Sequence, residues 1–288
     1  MINYTDRLHA LMTDIAARVP TLSFIDMNKV MVFARAGRTQ AEGAFATCHC
    51  LSLPPSEPGY YFWRDRTSGT VTRRSEWFVT KSPSLHIGTH PIDYMISFTL
   101  PRFCDQTLAR SKKQVHYRGE GPWIGKLDTV VHELYHIDPS GAGIRRMERA
   151  DGTYSANCHG GPFFEHVVDM VKTYLATKPD PATYDFLHHN HEALCEQYGR
   201  VVGQTFKAFP SFPQRYTEVV SPQPAPPEID ARVEPLKVPR VTTSYTEKDL
   251  TIREFTPRSS RRLLQAADAD NARLPVAGCE TLDAHAAA

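Results

Sequence analysis

Apolar positions recur at three- and four-residue spacing near the start of the chain. Tyr4, Leu8, Leu11, Met12 and Ile15 share one face over residues 3–18, and Pro20 follows. This spacing predicts an amphipathic helix. The period then changes. Residues 29–35 (KVMVFAR) form a short β-rich run closed by Gly37. A second run, 43–53, ends at Pro54-Pro55 and is placed to pair with the first as a hairpin. Residues 56–90 are polar and broken by Gly and Pro, with strand-like pieces around Trp63 and around Trp77, Phe78 and Val79. Residues 92–100 (IDYMISFTL) alternate and stop at Pro101, which predicts another strand.

The helical period returns at 126–137, where Leu127, Val130, Val131 and Leu134 share a face and Asp138-Pro139 ends the pattern. A further helix is predicted over 162–177. Pro162 suits its first turn, and Phe163, Val167, Met170, Val171 and Tyr174 line one side. Asp180 and Pro181 read as the cap and first turn of another helix reaching about 206. Beyond it Pro210, Pro213, Pro222, Pro224, Pro226, Pro227, Pro235 and Pro239 all fall within thirty positions. That density excludes a packed helix or central strand, so 209–240 reads as a linker. The segment 241–288 carries one β-like stretch, 249–255, and a basic cluster at Arg258, Arg261 and Arg262. Together these elements predict an α+β protein: a domain over 1–208, with a motif core at 126–178 and a helical extension at 180–206, then the linker and a partly ordered tail.

Composition narrows the function classes. Lys+Arg and Asp+Glu number 33 and 32, a formal charge of +1. No long-range field draws the chain to nucleic acid, and a nucleic-acid partner has no support from net charge. Asp6, Arg7, Asp14 and Arg18 interrupt the first helix, so it is not a signal-peptide core. No window approaches the roughly 18 uninterrupted apolar residues of a membrane span. The six cysteines lack a C-x-x-C spacing, which suits reduced thiols. The expectation is a soluble cytoplasmic protein without a membrane partner.

One motif carries chemistry. His132-Glu133-Leu134-Tyr135-His136 is an H-E-x-x-H pattern in a helix-compatible window. Residues i and i+4 lie one above the other on a helix, so two imidazoles converge on one metal ion while the adjacent carboxylate reaches a water beside it. The bland alternative is a surface helix with two solvated histidines and a salt-bridging glutamate. The apolar flanks Val130, Val131 and Leu134 argue instead for a core helix. A catalytic zinc takes three protein ligands and keeps one position open. The candidates for the third are His159, just before the helix at 162–177, Glu165 within that helix, and Cys158.

The run HELYHI, then a Gly-bearing polar loop, then His159-Gly160-Gly161-Pro162-Phe163 leading into an apolar helix, resembles the SprT-like metallopeptidases and the related phage metallopeptidases. The resemblance spans roughly 1–178 and is specific at 132–137 and 159–164. It implies a minimal zincin-like domain, with a small mixed sheet beside the H-E-x-x-H helix and its partner helices. It also implies Zn2+ held by His132, His136 and His159, and hydrolysis of a peptide bond in a protein or peptide substrate, with Glu133 as general base and then acid. Two departures stand out: an extra Gly before Pro162, and no zinc-ribbon cysteines after the catalytic region. The runner-up is a metallopeptidase-like module that binds a regulatory protein partner or nucleic acid.

Lesser candidates carry their own expectations. Tyr154 is a candidate hydrogen-bond donor to a developing oxyanion. Arg145, Arg146 and Arg149 read mainly as surface charge, and Asp138 as a helix end or an orienting group for a ligand histidine. His188, His189 and His191 read as a solvated cluster. In Cys48-His49-Cys50, strand alternation puts the thiols on one face and the imidazole on the other. The strand at 92–100 is the expected edge for pairing with an extended substrate.

Overall fold

The computed structural model describes residues 1–37, 43–51, 62–64, 70–75, 84–108, 112–141, 143–145, 159, 162–208, 217–224, 244–256 and 262–263. In chain order the elements are β1 (Ile2–Asn3), α1 (Tyr4–Arg18), β2 (Val30–Gly37), β3 (Ala46–Cys50), β4 (Phe62–Arg64), β5 (Thr70–Ser75), β6 (Ser84–Ile87), β7 (His90–Pro91) and β8 (Tyr94–Pro101). There follow α2 (Pro122–Tyr135), α3 (Phe163–Ala176), α4 (His191–Tyr198), β9 (Val201–Phe206), β10 (Thr217–Pro224), β11 (Ser244–Thr246), β12 (Leu250–Glu254) and β13 (Arg262–Leu263). The architecture is mixed α and β, with small mixed sheets, as the periodicity predicted.

The central sheet has the order β2-β8-β3, with β8 parallel to β2 and antiparallel to β3. The expected hairpin between the runs at 29–35 and 43–53 does not form, because β8 lies between them. The reason is burial. All eight residues of β8 are buried, and its two faces serve different cores. Val30, Val32 and Ala34 of β2 join Tyr94, Ile96 and Phe98 of β8 beneath the helices. Met31, Phe33 and Met95 face the other way, onto Leu51, Leu85, Ile92, Phe206 and Leu250. A strand buried along its whole length belongs in the middle of a sheet, whereas β2 is partly exposed over Arg35, Ala36 and Gly37. Strand β3 carries the polar Thr47 and His49 and takes the edge, so the edge role expected of 92–100 falls to β3.

The helical reading of 180–206 holds only in part. Two 3-10 turns, Pro181–Thr183 and Asp185–His188, lead into α4, which Gly199 closes at φ +80°. The chain then runs as β9, parallel to β1 and antiparallel to β12. A Cβ at Gly203 would stand 3.1 Å from Ala34 Cβ and 3.1 Å from Thr5 Cγ2, so only glycine lets β9 pack this closely on β2 and α1. The β-like stretch at 249–255 is β12, and β11 pairs in parallel with β6. Leu250, Ile252 and Phe255 are buried, and His191 Nε2 donates to the Phe255 carbonyl at 2.7 Å. Part of the tail is therefore built into the body of the fold. Within the Pro-rich segment, β10 pairs with β5, and its register shifts between Val219 and Gln223, across Pro222.

Helices α1, α2 and α3 cover one face of the central sheet and share its core. Among the described residues no helix is long and apolar enough to cross a membrane. Because Ile252 is buried on β12, opposite Gln204 of β9, Ile252→Ala should lower unfolding free energy by about 2–4 kcal/mol in urea titrations. A free tail would show no change.

Candidate metal centre

The H-E-x-x-H segment occupies the last turn of α2. The helix begins at Pro122, four residues before the predicted start, because the fixed φ of proline suits a first turn. From Ile124 to Tyr135 every residue except His132 is buried. A surface helix is thereby excluded, and the polar residues on α2 need partners. Lys126 Nζ donates to the His189 carbonyl at 2.7 Å. Asp128 pairs with Lys113 Nζ at 2.7 Å and accepts from the Tyr117 hydroxyl at 2.7 Å. Thr129 Oγ1 accepts from Lys113 Nζ at 2.6 Å and donates to the Gly125 carbonyl at 3.0 Å.

The end of α2 is closed by Arg145. Its amide donates to the His136 carbonyl at 2.8 Å and its Nε to the Tyr135 carbonyl at 2.9 Å. These are among the carbonyls a helix C-terminus leaves without partners. The guanidinium lies 4.4 Å above the Tyr135 ring. Arg145 is thus a half-buried clamp, not the surface charge expected. Asp138 accepts from the Ser140 amide and hydroxyl, which makes it a turn former rather than an orienting group for a histidine.

Three imidazoles converge at this helix end. His159 Nε2 lies 3.0 Å from His132 Nε2 and 3.1 Å from His136 Nε2. Phe163, the fully buried first residue of α3, underlies them with ring centroids 4.9, 5.0 and 5.2 Å from His132, His136 and His159. Burial pushes all three imidazoles toward the neutral form, His132 to about 2 and His136 to about 3. Neutral imidazoles are what a metal binds. One Nε2–H satisfies only one neighbour, whereas three bare nitrogens aimed at a common point suit a cation. Bonds of 2.0–2.1 Å to a tetrahedral ion would set such nitrogens roughly 3.3 Å apart. The site therefore fits a metal ion, and His132, His136 and His159 lie close enough to hold one.

Glu133, the residue after His132 on α2, is buried. Burial raises its carboxyl from 4.5 to about 8, against the opposing pull of the Cys48 amide, Lys113 and Arg35. Register explains the amide. Thr99 N–H to Phe45 O and Leu51 N–H to Asp93 O alternate with pairs that do not bond to β8. Cys48 is one of these, so its N–H turns outward from the sheet to Glu133. Among the described residues, neither Glu133 Oε2 nor His136 Nδ1 has a hydrogen-bond partner.

The rival third ligand, Glu165, is exposed on the first turn of α3 and is not among the converging groups. Tyr154, Cys158, Arg146 and Arg149 lie outside the described residues. The histidines at 188–191 diverge. His188 stacks on Trp123 at 4.7 Å, His189 contributes its carbonyl to Lys126, and His191 is buried against Phe255. Cys48 and Cys50 face the helices while His49 Nε2 lies 3.3 Å from Ser97 Oγ on the other side, as alternation predicted. Sequence reasoning missed Lys113, Asp128 and the Cys48 amide. Only the polar residues within an apolar helix pattern hinted at them.

The protein is thus an α+β fold carrying a three-histidine arrangement able to hold a metal ion. Comparison with protein-family models, curated proteins and solved structures found no match.

The Glu133 carboxyl makes a prediction that needs no activity assay. Its folded value lies above its unfolded one, so its burial penalty is absent below pH 4.5 and grows until about pH 8. Glu133→Gln should therefore stabilise the metal-free protein at pH 7, by on the order of 1–3 kcal/mol. Thermal melts should show the gain vanishing at pH 4. A gain independent of pH would refute this origin.

Proposed function

We propose that this chain is a zinc-dependent peptidase of the SprT-like kind. The observation that supports it most is the convergence of three Nε2 atoms at the end of the helix that carries the buried Glu133, whose Oε2 lacks a partner among the described residues. His132, His136 and His159 hold the ion, which when bound supplies Lewis acidity toward a carbonyl oxygen and acidifies water. Glu133 takes the proton of the attacking water on Oε2 and returns it to the departing amine. The Cys48 amide holds the carboxylate in place during both transfers. An extended peptide lies along β3, the edge strand packed against α2, so that its scissile carbonyl meets the imidazoles.

Metal content of purified protein, by plasma mass spectrometry, tests the centre. One zinc per chain is expected in the wild type and in Glu165→Ala, with loss in His132→Ala and His159→Ala. Glu133→Gln should keep zinc while kcat/KM on unfolded protein falls by about 10²–10⁴. Stoichiometric zinc without hydrolysis would leave a binding module, and no zinc in the wild type would sink the reading.

A further inference from the structure

We propose that Phe164 sets the specificity of this site, selecting peptides with a large apolar side chain beside the scissile bond. The inference rests on the peptidase reading above. The first two residues of α3 are both phenylalanine, yet they meet opposite surroundings. Phe163 is fully buried within the core cluster. Phe164 is 42% exposed and outside that cluster. Its ring stacks on His159 at 5.7 Å and 20°, and lies 5.9 Å from His132.

The ring stands at the mouth of the site. His136 is buried, His132 half-buried and His159 exposed, so the three Nε2 atoms are approached from the His159 side. Phe164 flanks that approach. Among the described residues, of the large hydrophobics most exposed (Met1, Phe24, Val115 and Phe164), it alone is in ring contact with two of the three histidines, His132 and His159. Water needs no apolar wall to reach a metal centre, but a peptide side chain gains from one. An aromatic ring already held by stacking loses little freedom when covered, and the water it sheds favours an apolar occupant. A charged side chain placed against the same ring gives up hydration without a partner.

The test uses the zinc-loaded full chain and two matched peptides with Phe or Ser flanking the cleavage point, chosen from a cleavage-site profile of a random peptide mixture. The expected profile is enriched in large apolar residues, with kcat/KM about tenfold higher for the Phe peptide. Phe164→Ala should lose about tenfold on the Phe peptide and less than threefold on the Ser peptide. Phe164→Leu should keep most of the preference, and zinc content should match the wild type in both. Equal losses on the two peptides, or an unchanged ratio in Phe164→Ala, would overturn the inference and leave the peptidase reading standing. A zinc-loaded wild type that cleaves nothing would overturn both.

Discussion

Helix α2 is enclosed on nearly every side, and the arrangement of the three converging histidines follows from that enclosure. Leu127, Val130, Val131 and Leu134 are all fully buried, so the helix cannot turn about its axis without opening voids. This fixes the direction in which His132 and Glu133 project. The same burial creates obligations. Asp128, Thr129 and Lys126 must find partners inside the protein, and they draw in Lys113, Tyr117, Gln106 and the His189 carbonyl. The partners tie the segments around 106–117 and 189 to the helix that bears the motif.

Glu133 differs from these residues. One side of its carboxylate is held by the Cys48 amide, and Oε2 is buried with no donor to it among the described residues. A buried carboxyl oxygen without a donor works against folding. The surrounding rigidity makes this tolerable. Arg145 clamps the helix end, Phe163 underlies the imidazoles, and the site stands on helices rather than on a loop alone.

The central sheet is also closed on its second face, away from the helices. Phe206 at the end of β9 and Leu250 at the start of β12 cover Met31, Phe33 and Met95. Sequence-distant segments thus share one sheet: β1 from the start of the chain, β9 from the middle and β12 from the tail lie side by side. His191 bonds the tail carbonyl of Phe255, and Asp105 caps the amide of the same histidine. The C-terminal segment is therefore coupled through α4 to the turn that precedes α2.

Where a single face of one element decided the matter, the sequence was legible. The spacing of Leu8, Leu11 and Ile15 located α1, that of Val167, Val171 and Tyr174 located α3, and the i, i+4 histidines marked two of the three imidazoles that converge. These are local periodicities, written within one or two dozen residues. The hairpin between β2 and β3 was misread because strand neighbours are chosen by burial on both faces, and KVMVFAR does not say which strand covers it. The stretch at 201–206 was misread because an apolar run that short suits helix and strand alike, and pairing with β1 and β12 decided it. By itself the sequence determined α1, α2 and α3, the apolar runs and two of the three converging imidazoles. The tertiary structure decided the strand order, the choice of His159 over Glu165 and the partners of Glu133, because each depends on contacts between residues far apart in the chain.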